Sequence, residues 1–183
     1  MGLLYGIAIN DAEYIVQPKN KPNCDFYKVW QGMLQRCYDP KLHKKRPNYI
    51  GCSVSSEWLL FSSFSSWMKT QDWKGKQLDK DILFQGNKIY SAETCIFVHG
   101  SLNSLLTNRS NFRGKYPIGV SFNKKSEKYH SQCRVNGKAT SLGFFDTPLE
   151  AHEVYKKFKY EVIRKVAEKQ AEPLKAALLN YKI

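Results

Sequence analysis

Between Phe26 and Tyr38 the apolar residues Tyr27, Trp30, Met33, Leu34 and Cys37 recur at spacings of three and four. That spacing lays one stripe along a helix of 3.6 residues per turn, so an amphipathic helix is predicted. It should stop at Asp39-Pro40, since the residue before a proline is pushed out of the helical region. Lys41 to Gly51 is basic and turn-rich, with His43, Lys44, Lys45 and Arg46 in one cluster, and is expected to be an exposed loop. Trp58, Phe61, Phe64 and Trp67 return at a period near three, which again suits a helix face packed on a core.

From Gln77 the pattern changes. Leu78, Ile82 and Phe84 flank Asp79-Lys80-Asp81, and Gly86-Asn87 supplies turn chemistry before Tyr90. A short apolar run follows at Cys95 to Val98, and Ser101 to Asn108 has the form of a short helix opened by a serine cap. Strand, turn, strand and helix in so short a stretch fit a small metal-site architecture as well as a generic hairpin. Arg109 to Lys115 is polar and is the expected linker, dividing the chain into residues 1–109 and 110–183.

Beyond the linker, Ile118 to Phe122, Lys128 to Val135 and Ala139 to Phe145 are predicted strands. They are joined by Asn123 to Glu127 and by Asn136-Gly137, a strong hairpin turn. Thr147-Pro148 with Glu150 caps a long helix whose expected inner face carries Ala151, Val154, Tyr155, Phe158, Val162 and Val166. Pro173 should start a last short helix. The fold class is therefore α+β, ending in a three-stranded antiparallel sheet packed on one long helix.

Charge alters this picture. The chain has 29 Lys and Arg against 16 Asp and Glu, a net charge of +13, which favours a polyanionic partner. A membrane surface is disfavoured because no apolar run approaches the roughly 18 to 20 residues of a bilayer span. Met1 to Asn10 is too short for a signal peptide, so a cytoplasmic location is expected. Cys24, Cys37, Cys52, Cys95 and Cys133 are odd in number and include no C-x-x-C pair, so reduced, mostly buried thiols are expected. A mixed Cys/His metal site using His43 and Cys52 is the alternative.

The positive charge is patterned. Along Lys128 to Val135, alternation sends Lys128, His130, Gln132 and Arg134 to one face and Tyr129, Ser131, Cys133 and Val135 to the other. Lys124, Lys125 and Lys138 flank that polar face, and Glu127 is the one acid between Arg109 and Phe145. A sheet of this size fits the DNA major groove, where Arg and Gln bond base edges and lysines hold phosphates.

The residues Gly119-Val120, Lys128-Tyr129, Gln132-Cys133-Arg134, Leu142-Gly143, Phe145-Asp146-Thr147, Glu150-Ala151 and Tyr155 resemble the plant ethylene-response-factor type of DNA-binding domain. That domain also occurs in homing endonucleases of phages and mobile elements, and the resemblance covers about residues 116 to 160. It implies three strands in the major groove backed by one helix, with Lys128, His130, Gln132 and Arg134 facing DNA. There are two departures from the pattern: the arginine-rich first strand is here Ser121 and Asn123, and a DNA-contacting tryptophan is Ser141.

Gly75 to Arg109, with Leu-Asp-Lys-Asp-Ile, Gly-Asn-Lys-Ile-Tyr-Ser and Asn103, resembles the HNH region of phage homing enzymes. The upstream Trp30, Met33, Arg36-Cys37-Tyr38, Gly51 and Glu57-Trp58 are similar to the segment preceding it there. The resemblance implies a degenerate ββα-metal module in which Asp79 and Asn103 match the two metal ligands. Lys80 stands at the general-base position and Thr94 at that of the orienting asparagine, while His99 is an alternative imidazole. Asp79, Asp81 and Glu93 could instead hold Mg²⁺ through oxygens alone.

Three function classes follow. The first is a protein that binds double-stranded DNA, of phage or mobile-element origin, with a decayed nuclease module and no cofactor. The second is an active HNH-type endonuclease or nickase using Mg²⁺ or another divalent cation. The third is an RNA-binding or protein-interaction factor in phage–host conflict. A phage-encoded chain would act in the host cytoplasm.

Overall fold

The computed structural model describes residues 2–107 and 115–183. The chain divides into two compact units, Met1–Val98 and His99–Ile183. The linker expected at Arg109 to Lys115 lies, apart from Lys115, outside the described residues, as do Arg109 and Arg113 themselves. No helix among the described residues is long and apolar enough to cross a membrane.

In the first unit, helix α1 (Asp25–Tyr38) buries Tyr27, Trp30, Met33, Leu34 and Cys37, the stripe its spacing predicts. Asp39 ends it and starts the next helix, α2 (Pro40–Lys45), by accepting a hydrogen bond from the Lys41 amide. The stretch expected as a loop is thus helical, continuing into a 3-10 turn at Pro47–Tyr49, and it buries none of its side chains. The second aromatic run is broken at Leu60, whose extended backbone separates a 3-10 turn (Ser56–Leu59) from α3 (Phe61–Lys69). The break lets Trp58 reach Phe64 edge-on, at 5.0 Å between ring centroids, while Trp58 O accepts the Trp30 indole N–H at 2.7 Å. These rings, with Tyr27 and Phe61, form the core of the unit.

Two small sheets flank that core. Strand β1 (Ser53–Val54) pairs in parallel with β3 (Ile89–Tyr90), and β2 (Gln77–Asp79) pairs antiparallel with β4 (Ile96–Val98). Gly86-Asn87 therefore does not close a hairpin between neighbours in sequence. It turns the chain away from β2 to lie beside β1. Helix α4 (Gly100–Leu106) begins after His99 rather than at a serine cap, and it groups with the second unit, where Tyr181 Oη donates to Leu106 O at 2.8 Å.

The second unit is mixed helix and strand, with a three-stranded antiparallel sheet in the order β5 (Val120–Asn123), β6 (Lys128–Val135), β7 (Lys138–Phe145). Asn136 and Gly137 both have positive φ, at 49° and 79°, as the tight turn between β6 and β7 requires. Helix α5 (Pro148–Ala167) opens with the full capping box formed by Thr147 and Glu150 and packs on all three strands. Its buried row is Ala151, Tyr155, Lys159, Ile163 and Ala167. The expected face was correct at Ala151 and Tyr155, whereas Val154, Phe158, Val162 and Val166 lie half-buried on its shoulder. A lysine occupies the centre of the row because its stem packs as a hydrocarbon while Nζ donates to Tyr155 Oη at 3.0 Å. Helix α6 (Leu174–Leu179) follows Pro173 and buries Leu174 and Leu178.

Gly119 sets the depth of this packing. With φ at +80°, a Cβ there would lie 2.1 Å from Tyr155 Cδ2, so the strand backbone rests directly on the ring. Gly119→Ala should destabilise the second unit by about 2–5 kcal/mol, the sum of backbone strain and overpacking. Gly86→Ala, also at positive φ but in open space, should cost only about 1 kcal/mol. Amide exchange across α5 in the Gly119 variant reads the effect, and unchanged protection there would contradict it.

Candidate nucleic-acid interface and the Asp79 loop

Cross-strand register fixes which side chains share a face of the sheet. Asn123 pairs with Lys128, Ser121 with His130, Gln132 with Ser141 and Arg134 with Ala139. Lys128, Gln132 and Arg134 are exposed and His130 is half-buried, whereas Ser131 and Cys133 on the opposite face are buried against α5. The alternation read along this strand is therefore observed. Lys124, Lys125 and Lys138 are exposed at the two turns, and Asn123 Oδ1 shapes the first turn by accepting from the Lys125 and Ser126 amides. Lys128 Nζ lies 3.1 Å from Asp146 Oδ1, a solvated pair of small energetic value that leaves the lysine free to exchange partners.

The register also brings up a residue that alternation alone misplaces. Pairing shifts between Ser131 and Gln132, so that Leu142 is skipped and Phe144 falls opposite His130. One extra residue reverses the parity of the strand. Ser141 and Phe144, three apart in sequence, consequently flank the same polar face. His130 Nε2 bonds Ser141 Oγ at 2.8 Å, and the imidazole stacks on the Phe144 ring at 4.7 Å and 21°. The clue in the sequence was Leu142-Gly143, since a glycine inside a strand often marks a bulge.

Charge in the second unit reinforces this face. His99–Ile183 carries 16 of the 29 lysines and arginines and 7 of the 16 acids, so most of the positive excess is there.

In the first unit, Asp79 closes β2 and folds back on its own turn: Oδ1 accepts from the amides of Asp81 and Ile82, both at 2.9 Å. Burial first, and then the nearby Asp81 carboxylate, raise the Asp79 carboxyl to about 6. Lys80 is only 6% exposed. Its ammonium donates to Asp81 Oδ2 at 3.1 Å and Asn87 O at 2.8 Å, and it lies over the Tyr90 ring. Asn87 completes the brace by donating Nδ2 to Lys80 O and Ile89 O and accepting the Ile89 amide. Arg36 of α1 also donates to the Tyr90 phenol oxygen at 3.3 Å and sits over the ring at 5.8 Å. Half-buried Arg36 and Asn87 thus frame the buried Tyr90, an arrangement that periodicity in the sequence does not reveal.

Thr94, the residue expected at the orienting position, bonds locally: Oγ1 donates to Ile89 O and accepts the Ser91 amide. Glu93 is exposed, with its carboxyl held below the usual range chiefly by the Ser91 hydroxyl. His99 is exposed, and its carbonyl accepts the Asn103 amide across one turn of α4. Asp79, Lys80 and Asp81 belong to the first unit, and His99 and Asn103 to the second.

The donors within the Asp79 loop fit a divalent cation poorly. One Asp79 oxygen is committed to two amides, Asp81 is paired to an ammonium, and that buried ammonium supplies the loop's counter-charge. No group of three or more His, Cys, Asp or Glu side chains among the described residues is arranged to hold a metal. At the alternative site, His43 Nε2 donates to Arg36 O at 2.8 Å, and Cys52 is buried. All five cysteines are free, four of them buried and Cys24 half-buried, and burial pushes the Cys37 and Cys95 thiols up to about 12.

An Asp whose folded-state value is raised stabilises the fold while protonated and loses that contribution as pH climbs through about 6. Asp79→Asn keeps an oxygen for the two amides and removes the charge. It should raise stability at pH 7 to 8 by about 1–3 kcal/mol and leave it nearly unchanged below pH 4. Urea unfolding of the first unit, followed by tryptophan fluorescence, measures the difference, and an equal effect at both pH values would refute the assignment. All four tryptophans lie in that unit.

Comparison of the chain with protein-family models, with characterised proteins and with solved structures gives no match.

Proposed function

We propose that the second unit binds double-stranded DNA, laying β6 and its neighbours in the major groove with α5 as backing. The observation that carries this reading is the segregation of the sheet, one face buried on α5 and the other holding Lys128, His130, Gln132 and Arg134. In this reading Gln132 presents the donor and acceptor suited to an adenine edge, Arg134 the donor pair suited to guanine, and Lys124, Lys125 and Lys138 meet phosphates from the turns. A phosphate-tracking lysine needs reach and solvation, and these three have both. The sheet's resemblance to the ethylene-response-factor type of domain agrees with the same placement.

The first unit then acts as a scaffold. Its Lys80 is built into the frame as a buried strut, so the position that holds a general base in HNH enzymes carries a fixed cation. A metal-dependent nuclease remains the competing reading because Asp79 and Asp81 repel each other, and such a pair is what a cation would relieve.

Binding of the full chain to duplex DNA should weaken with salt at a slope of roughly −5 to −6 in log K against log concentration, for about five to seven phosphate contacts. Arg134→Ala or Gln132→Ala should reduce discrimination between preferred and random duplexes by about 1–3 kcal/mol, whereas Lys124→Ala should weaken both alike. Supercoiled plasmid incubated with Mg²⁺ or Mn²⁺ should stay intact. Metal-dependent nicking that Asp79→Ala abolishes would replace the scaffold reading with the nuclease one, and salt-independent affinity would defeat the DNA interface itself.

A further inference from the structure

Within the polar face, Phe144 is out of place. It is 48% exposed, and among the cross-strand partners on that face it is the single large apolar side chain. Its ring is held by the His130 imidazole stacked at 4.7 Å, which is in turn held by Ser141. A restrained aromatic side chain of this kind has already lost much of the freedom that contact would otherwise cost it. Burial is not what restrains it, since nearly half of its surface meets water.

Resting on the DNA reading above, we infer that Phe144 is a specificity residue that packs against the C5 methyl of a pyrimidine in the major groove. The floor of that groove presents donors and acceptors at every base pair but only one apolar feature, the methyl at pyrimidine C5. Thymine carries it always, and cytosine only when methylated. Arg134 and Gln132 have partners among the polar edges, whereas an apolar ring gains nothing from them. The Leu142 bulge is what delivers Phe144 to this surface, where it lies opposite His130 on the face that also carries Lys128.

The test uses the full chain. Random-sequence duplexes are enriched by binding to the protein, and the enriched pool is copied in three forms: with thymine, with uracil in its place, and with 5-methylcytosine replacing cytosine. If thymine is the source of the methyl, the wild-type protein should bind the uracil copy about fourfold more weakly, which is the value of one buried methyl group. Phe144→Ala should bind thymine and uracil copies equally, and Phe144→Leu, which keeps an apolar side chain, should retain part of the difference. Circular dichroism checks that both variants fold, as expected for an exposed position. Equal binding to thymine and uracil copies with tighter binding to the 5-methylcytosine copy also supports methyl contact and assigns the source to cytosine. Equal affinity for all three copies overturns the inference, as does discrimination that persists in Phe144→Ala. Failure to bind any duplex overturns the DNA reading and this inference with it.

Discussion

The second unit depends on the close seating of α5 against the sheet. Three strands alone cannot protect a hydrophobic face from water, so the helix must cover the centre of one side, where Ser131 and Cys133 are buried. The residues at that contact are small or flexible: Ala151 and Ala167 on the helix, Ser131 and Cys133 on the central strand, and Gly119 under the Tyr155 ring. Their size brings the backbones close. One consequence is that the Ser131 hydroxyl is buried without a hydrogen-bond partner among the described residues, a cost accepted for closeness. Another is that the side chains on the outer face are not needed for the α5 contact, so charge and hydrogen-bonding groups can collect there.

A lysine is buried in each unit, and the two are solved differently. Lys159 lies in an apolar layer and finds the Tyr155 hydroxyl, with its stem filling the helix row. Lys80 is held by a carboxylate, a carbonyl and a ring face, and the loop around it is organised by Asn87. Removing Asp81 would leave a buried cation short of its counter-charge, so Lys80 and Asp81 are best understood as one structural pair. An imidazole at position 80 would lack the length to reach both Asp81 and the Asn87 carbonyl. A histidine at position 80 would therefore alter the architecture of the loop as well as its proton chemistry.

Elements whose burial follows one simple period were legible from the chain. The α1 stripe was read in full because a helix lying on one core obeys a single spacing. The α5 stripe was read one notch aside, because a scale that ranks lysine as polar cannot see that Lys159 buries its hydrocarbon stem. Gly86-Asn87 was read correctly as a turn, yet β2 pairs with β4 and β3 with β1, since partner choice depends on tertiary packing that turn chemistry does not encode. In the candidate interface, Lys128, His130, Gln132 and Arg134 were found by alternation along one unbroken strand, whereas Phe144 was missed because the Leu142 bulge resets the parity of β7.

That reset has a mechanical side. Without the bulge, β7 would place Ser141 and Phe144 on opposite faces, and His130 would have one of its two neighbours at most. With it, the imidazole is bonded by one residue and stacked by the other, so the centre of the polar face is more rigid than its flanks. Lys124, Lys125 and Lys138 at the turns keep their side-chain freedom. A rigid centre and mobile cationic edges suit two different tasks: shape-dependent contact needs side chains whose positions are fixed beforehand, while attraction to a charged backbone tolerates motion and depends mainly on reach. Under the proposed DNA reading, the single inserted residue in β7 separates the two tasks on a surface only three strands wide.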